Sequence, residues 1–166
     1  MRTAVVDSSV LINLTHLNLV RELSWFFDRV YVPRAVQIEV NRKGRFRYRL
    51  NKLFETSILR RCTTANEWNV RLLQPDLDLD LGEAEAIIQA QEQGAEFFIG
   101  DEKRAREVAK NMKQKTVGTL GILARLYRDG QISDLDLMVE KLRRDLRYRV
   151  SNELVLEAVS KASEPI

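Results

Sequence analysis

Residues 4–12 read Ala4-Val5-Val6-Asp7-Ser8-Ser9-Val10-Leu11-Ile12, and this stretch decides the fold class. Its apolar start suits a buried strand, and the run stops on a carboxylate. Ser8 or Ser9 can cap a first helical turn, after which Val10-Leu11-Ile12 resumes an apolar pattern. A strand passing straight into a helix is the opening of a βαβ unit. Asp7 then stands at the carboxyl end of the strand, where parallel α/β sheets place their ligand sites.

The same alternation continues outward. Residues 29–32 read as a second strand, and Pro33 opens a helix to about residue 41. A helix over 83–93 is ended by Gly94. Residues 96–99 form a strand, 102–113 a helix, 115–117 a short strand and 119–129 another helix. Ser133 with Asp136 resembles a capping box for the next helix, and about 153–161 is a terminal one. Residues 42–61 read as a basic, partly helical excursion. Residues 62–81 carry no clear period, with Pro75 breaking any long element. The expectation is an α/β fold with a central parallel sheet and helices on both faces. Its 166 residues form one domain, 1–166, with a helical tail over about 134–166.

Composition narrows the chemistry. No apolar run reaches the ~18 residues of a membrane span, and the N-terminus lacks the apolar core and cleavage site of a signal peptide. Cys62 is the only cysteine and His16 the only histidine. An intrachain disulfide, a cysteine-rich zinc site and a paired-histidine ribonuclease are all excluded, and a reducing cytoplasm is the expected home. His16 reads as a surface or packing residue.

Four carboxylates remain to be explained: Asp7, Glu39, Glu83 and Asp101. Asp7 and Asp101 follow strands, where a helix cap is the plain alternative. Glu39 shares a helix face with Ala35, Val36 and Val40, so it lies on the core side. In Gly82-Glu83-Ala84-Glu85-Ala86, the apolar stripe of Ala84, Ile87, Ile88 and Ala90 has Glu83 on its rim. Glu85 points nearly opposite and reads as solvated. Two carboxylates ~4 Å apart repel by roughly 4 kcal/mol even at an effective dielectric of ~20. Gathering four requires a counter-charge, and hard divalent cations with oxygen ligands supply it.

Basic residues are unevenly placed. Between 42 and 61 stand Arg42, Lys43, Arg45, Arg47, Arg49, Lys52, Arg60 and Arg61 against Glu55 alone, a local +7 in a chain of net +3. Phe46, Tyr48 and Phe54 are interleaved and suit stacking on unpaired bases. A second cluster, Lys141, Arg143, Arg144, Arg147 and Arg149, lies near the C-terminus. An acidic centre with a basic periphery fits a protein that grips a polyanion. A receiver domain phosphorylated on Asp7 does not explain Glu39 and Glu83 on helices.

With these positions in place the chain resembles the PIN-domain nucleases, over most of its length. Asp7 to Ile12 resembles that family's opening turn, and Val32-Pro33 through Glu39-Val40 its second acidic helix. Leu81 to Ile87 is similar to the third acidic element and Ile99-Gly100-Asp101-Glu102 to the fourth. Val117 to Leu123 and Leu146 to Ser151 resemble a toxin-related bacterial and archaeal subgroup. The resemblance implies a three-layer α/β/α sandwich and cleavage of RNA with one or two Mg²⁺ or Mn²⁺ ions. These would be held by Asp7, Glu39, Glu83 and Asp101, with Glu102 as a further candidate ligand. It also implies a homodimer and an antitoxin partner. Ser8 or Ser9, Thr119, Lys103 and Arg104 are candidate phosphate contacts, and Arg45, Arg47, Arg49 and Lys52 candidate RNA contacts. A Thr or Ser often precedes the fourth acid, and Gly100 removes that hydroxyl here.

Overall fold

The computed structural model describes residues 1–76 and 78–163. Among them, five strands form one sheet: β1 (Thr3–Val6), β2 (Arg29–Pro33), β3 (Leu59–Cys62), β4 (Phe97–Ile99) and β5 (Lys115–Val117). Their order is β3-β2-β1-β4-β5 and every pairing is parallel. The chain builds outward from β1 on one side, then returns to build outward on the other. A crevice opens at such a reversal, beyond the carboxyl ends of β1 and β4. The Asp7 amide donates to the Ile99 carbonyl at 2.8 Å and holds the two strand ends together there.

Strand side chains alternate between two cores. Ala4, Val6, Val30, Val32, Phe97 and Ile99 face one core. It is completed by α1 (Ser8–Leu17), α2 (Arg34–Arg42), α3 (Arg47–Thr56), α7 (Thr119–Arg128), α8 (Leu135–Leu146) and α9 (Asn152–Lys161). Val5 and Phe98 face the other, against α4 (Glu67–Asp76), α5 (Leu81–Glu92) and α6 (Lys103–Asn111). The result is a three-layer α/β/α sandwich. Each fully buried Leu or Phe contributes about 1.5–3 kcal/mol, so the central strands, apolar on both faces, anchor the crevice firmly.

Several local expectations need correction. The excursion over 42–61 contains α3 and an unanticipated edge strand, β3. Only Leu59 in β3 is buried, while Arg60 and Arg61 are exposed, so no alternation marks it as a strand. The Arg60 guanidinium donates to the Ser57 and Leu59 carbonyls at 3.0 and 2.8 Å. Phe46 is a core residue, 2 % exposed. Phe54 is half-buried, with the Arg61 guanidinium 3.9 Å from its ring centre. Of the three aromatics offered for base stacking, only Tyr48 is exposed. Helix α4 runs through Pro75 and ends one residue later. The cap of α8 is Asp134, which accepts from the Leu137 amide at 2.8 Å, one place after the Ser133 frame. Among the described residues no helix is long and apolar enough to cross a membrane.

Candidate active site

Asp7 occupies the N-cap position of α1 but its side chain makes no capping hydrogen bond. The carboxylate is 3 % exposed and accepts from Ser9 Oγ at 2.8 Å. What lies opposite is acidic. A Cβ on Gly82 would stand 3.3 Å from Asp80 Oδ1, 3.6 Å from Glu39 Oε2 and 4.0 Å from Asp7 Oδ1. Three carboxylates, from the end of β1, from α2 and from the turn before α5, converge on a spot that glycine keeps open. Asp80 was not among the expected residues. Its signal is in the sequence: Asp80-Leu81-Gly82-Glu83 before an apolar helix has capping-box spacing.

That box forms. Asp80 Oδ1 accepts from the Glu83 amide at 2.8 Å, and Glu83 Oε2 accepts from the Asp80 amide at 2.9 Å. Glu83 is thereby fixed in the first turn of α5, buried beside Asp7 and Glu102. Burial pushes its carboxyl up to about 7, against the Asp80 amide, with Asp80, Asp7 and Glu102 adding to the rise. Asp7 is pushed up to about 6, again chiefly by burial. Ser9 and the Ser8 amide oppose that rise, and the charges of Asp80 and Glu39 reinforce it. Both groups report one condition: negative charge crowded in a place with little water.

Asp101 is held differently. Its oxygens accept from the Thr119 amide at 2.7 Å, Thr119 Oγ1 at 2.6 Å and Asn13 Nδ2 at 3.0 Å. Asn13 also donates to Thr119 Oγ1 at 3.1 Å. Burial still raises the Asp101 carboxyl, though these donors and Arg106 oppose it. Asp101 thus fastens the start of α7 to the end of β4. A Cβ on Gly100 would come within 2.4 Å of the Phe98 ring. That excludes a Ser or Thr at 100 without displacing the ring, and Thr119 provides the hydroxyl instead.

The structure sorts the remaining candidates. Glu39 is half-buried, with Lys43 Nζ 4.0 Å from its Oε1. Glu85 is not solvated. It is 8 % exposed and accepts from the backbone amides of Arg34 and Ala35, both at 3.0 Å. Helical phase set it nearly opposite the apolar stripe and in water, but what it meets is the N-terminus of α2, whose unpaired amides favour an anion. Burial raises the Glu85 carboxyl, and those amides oppose the rise.

Thr119 is fully buried and Ser8 is 5 % exposed, so neither is placed to touch a phosphate. Ser9 faces the cleft instead, as does Glu102 beside Asp101. Lys103 and Arg104 are exposed on α6 and pair with Glu107 at 3.8 and 3.9 Å, outside the clefts that hold the acids. Arg49 and Lys52 line a separate depression with Thr15 and Arg21, and Arg45 lies over the Phe46 ring. Arg45, Arg47, Arg49 and Lys52 are therefore not brought to the acids. His16 Nε2 lies 2.9 Å from Asp145 Oδ2 and its ring meets Phe46 edge-on, a packing role.

Among the described residues no three of these side chains stand as a closed set of metal ligands. In kind, the donors fit a hard divalent cation: all are carboxylate oxygens, and three approach one point beside Gly82. The raised carboxyls of Asp7 and Glu83 are the expected state of such ligands without their counter-charge. Residues 3–164 match the family model of a PIN domain. No curated protein matches the chain.

Proposed function

This chain belongs to the PIN-domain family, whose members are generally nucleases, and from that premise we propose that it is a Mg²⁺- or Mn²⁺-dependent endoribonuclease. The observation that carries the proposal is the approach of Asp7, Glu39 and Asp80 to one point at the sheet's reversal, with Glu83 fixed beside them. Asp7, Glu39, Glu83 and Asp101 would hold the cation, with Asp80 and Glu102 close enough to share the task. When bound, it supplies Lewis acidity toward a phosphodiester and its attacking water.

The chain's own residues do the rest. Ser9 orients the Asp7 carboxylate through its 2.8 Å hydrogen bond. Thr119 and Asn13 fix Asp101, leaving it little freedom to turn away. Asp7, with its carboxyl near 6, is mostly ionised at pH 7, whereas Glu83, near 7, is evenly divided. A bound cation would draw both carboxyls to the ionised form in which they can hold it.

The toxin-related resemblance extends the proposal to a cytoplasmic toxin that is homodimeric and neutralised by an antitoxin. A second reading, a PIN domain that binds RNA without cutting it, is favoured by the hydrogen bonds that already occupy Asp101 and Glu83. Incubating the protein with single-stranded RNA in Mg²⁺ and in EDTA decides between them. Cleavage in Mg²⁺ that stops in EDTA and in Asp7→Asn supports the nuclease. Equal activity in EDTA sinks the metal assignment, and binding without cleavage favours the second reading.

A further inference from the structure

Asp101 and Glu102 border a cleft of about 650 Å³ whose opposite wall is the linker between α8 and α9. Ser9, Asn13, Asp101 and Glu102 line its acidic side, and Arg147 and Arg149 line the linker side. Both arginines are exposed, and among the described residues neither is in an ion pair. Arg106, which also lines the cleft, is already engaged with the Gly100 and Asp101 carbonyls.

Two features show that the linker is built and not slack. Tyr148, between the arginines, is half-buried against the core, with Leu120 and Asp101 as neighbours. Arg147 itself ends α8 at φ 56°, ψ 36°. That left-handed conformation is a common way to stop a helix, most often taken by glycine. The helix stop thus fixes the Arg147 backbone where the linker turns onto the cleft.

We propose that the α8–α9 linker is the substrate's phosphate clamp, with Arg147 and Arg149 holding the backbone of single-stranded RNA on the Asp101 side of the scissile bond. Lys43, on the same cleft at the end of α2, completes the cationic rim. The inference rests on the ribonuclease reading for its substrate. It reassigns RNA gripping from Arg45, Arg47, Arg49 and Lys52, which line neither acid-bearing cleft, to a segment more than eighty residues downstream.

The test is equilibrium binding of a fluorescein-labelled single-stranded RNA over a salt series, on the full chain in EDTA, with steady-state cleavage measured in parallel in Mg²⁺. Each phosphate neutralised on a single strand contributes about −0.7 to the slope of log affinity against log salt. Arg147→Gly with Arg149→Ala should weaken binding at least tenfold and flatten the slope by about 1.4. In cleavage, KM should rise by more than kcat falls. Glycine at 147 keeps the left-handed backbone, so folding is preserved and melting confirms it. Lysine at both positions should restore most of the slope. Alanine at Arg45 and Arg47 removes the same charge from outside the cleft and should move the slope less. If the glycine–alanine variant binds RNA as tightly and as salt-dependently as the parent, the cations serve another acidic partner and the clamp is overturned. Parent protein that binds no RNA overturns it too. Loss of RNA binding in the variant, from a parent that binds but never cleaves, would uphold the clamp and sink only the ribonuclease reading.

Discussion

Asp7 and Asp101 follow neighbouring strands of one sheet, the first buried and the second half-buried, and their surroundings are opposite. Asp101 has three donors within 3.0 Å, two of them from the first residue of α7. Asp7 has Ser9, and across the space beside Gly82 it meets Asp80 and Glu39. One carboxylate is a structural fastening that also faces a cleft. The other is a buried charge set among further acids. The sign of a stability change, read beside activity, separates the two roles.

The largest effect is expected at these two residues. Asp7→Asn should lower Mg²⁺-dependent cleavage by about three orders of magnitude, the scale set by several kcal/mol of lost transition-state stabilisation. The same change should raise the melting temperature in EDTA, because one charge leaves an acidic cluster. Asp101→Asn should also impair cleavage but lower the melting temperature, since hydrogen bonds to a charged acceptor are worth about 1.5–3 kcal/mol each. Melting shifts of the same sign would break the comparison.

Next come Glu83 and Glu85, two residues apart on α5 and facing different ends of the chain's machinery. Glu83→Gln should abolish cleavage with little loss of stability. Glu85→Gln leaves one α2 amide without its charged partner and should destabilise by about 1–3 kcal/mol. Its activity should fall only as far as α2, which carries Glu39, shifts. Full activity in Glu83→Gln, or unchanged melting in Glu85→Gln, contradicts this division.

A third effect depends on pH. In the folded chain Asp7 and Glu83 hold protons up to about 6 and about 7, above the ordinary values of 3.8 and 4.5. Between those limits the folded state binds more protons than the unfolded one, so stability falls as pH rises. In EDTA, denaturant melts should show a more stable protein at pH 5 than at pH 7.5, by on the order of 2 kcal/mol. Saturating Mg²⁺ should weaken that dependence, because a bound cation favours the ionised carboxylates. Stability that instead increases across this range would mean the acids are already compensated.

The smallest effect is at Ser9. Removing its hydroxyl deletes one of the influences holding the Asp7 carboxyl down. Ser9→Ala should steepen the EDTA pH dependence while changing stability at pH 5 by about 1 kcal/mol or less. A flat response would show that Ser9 does not act on Asp7.

Much of this was legible in the sequence, and the gaps have physical causes. Ala4 to Ile12 announces its strand-turn-helix because both cores demand apolar residues at adjacent places. β3 was hidden because an edge strand with one buried residue carries no alternation. Helical phase told Glu83 from Glu85 but gave Glu85 water for surroundings in place of the α2 amides. Periodicity tells which way a side chain points, and only the tertiary fold reveals that α2 begins there. Asp80 was overlooked though its capping spacing was visible. The placement of the basic excursion was not legible, because charge density along a chain says nothing of which surface it covers: Arg60 donates to the Ser57 and Leu59 carbonyls and Arg61 to Asn51 of α3, whereas the sparser Arg147 and Arg149 line the cleft.

The sheet's outer boundary carries a last consequence. At β3 the Arg60 guanidinium occupies the carbonyls of Ser57 and Leu59, and Arg60 and Arg61 project their charges from the strand. An edge blunted in this way is a poor template for another strand. Two copies of this chain are discouraged from zipping into one continuous sheet through β3, which leaves the three-residue β5 as the sheet's other edge.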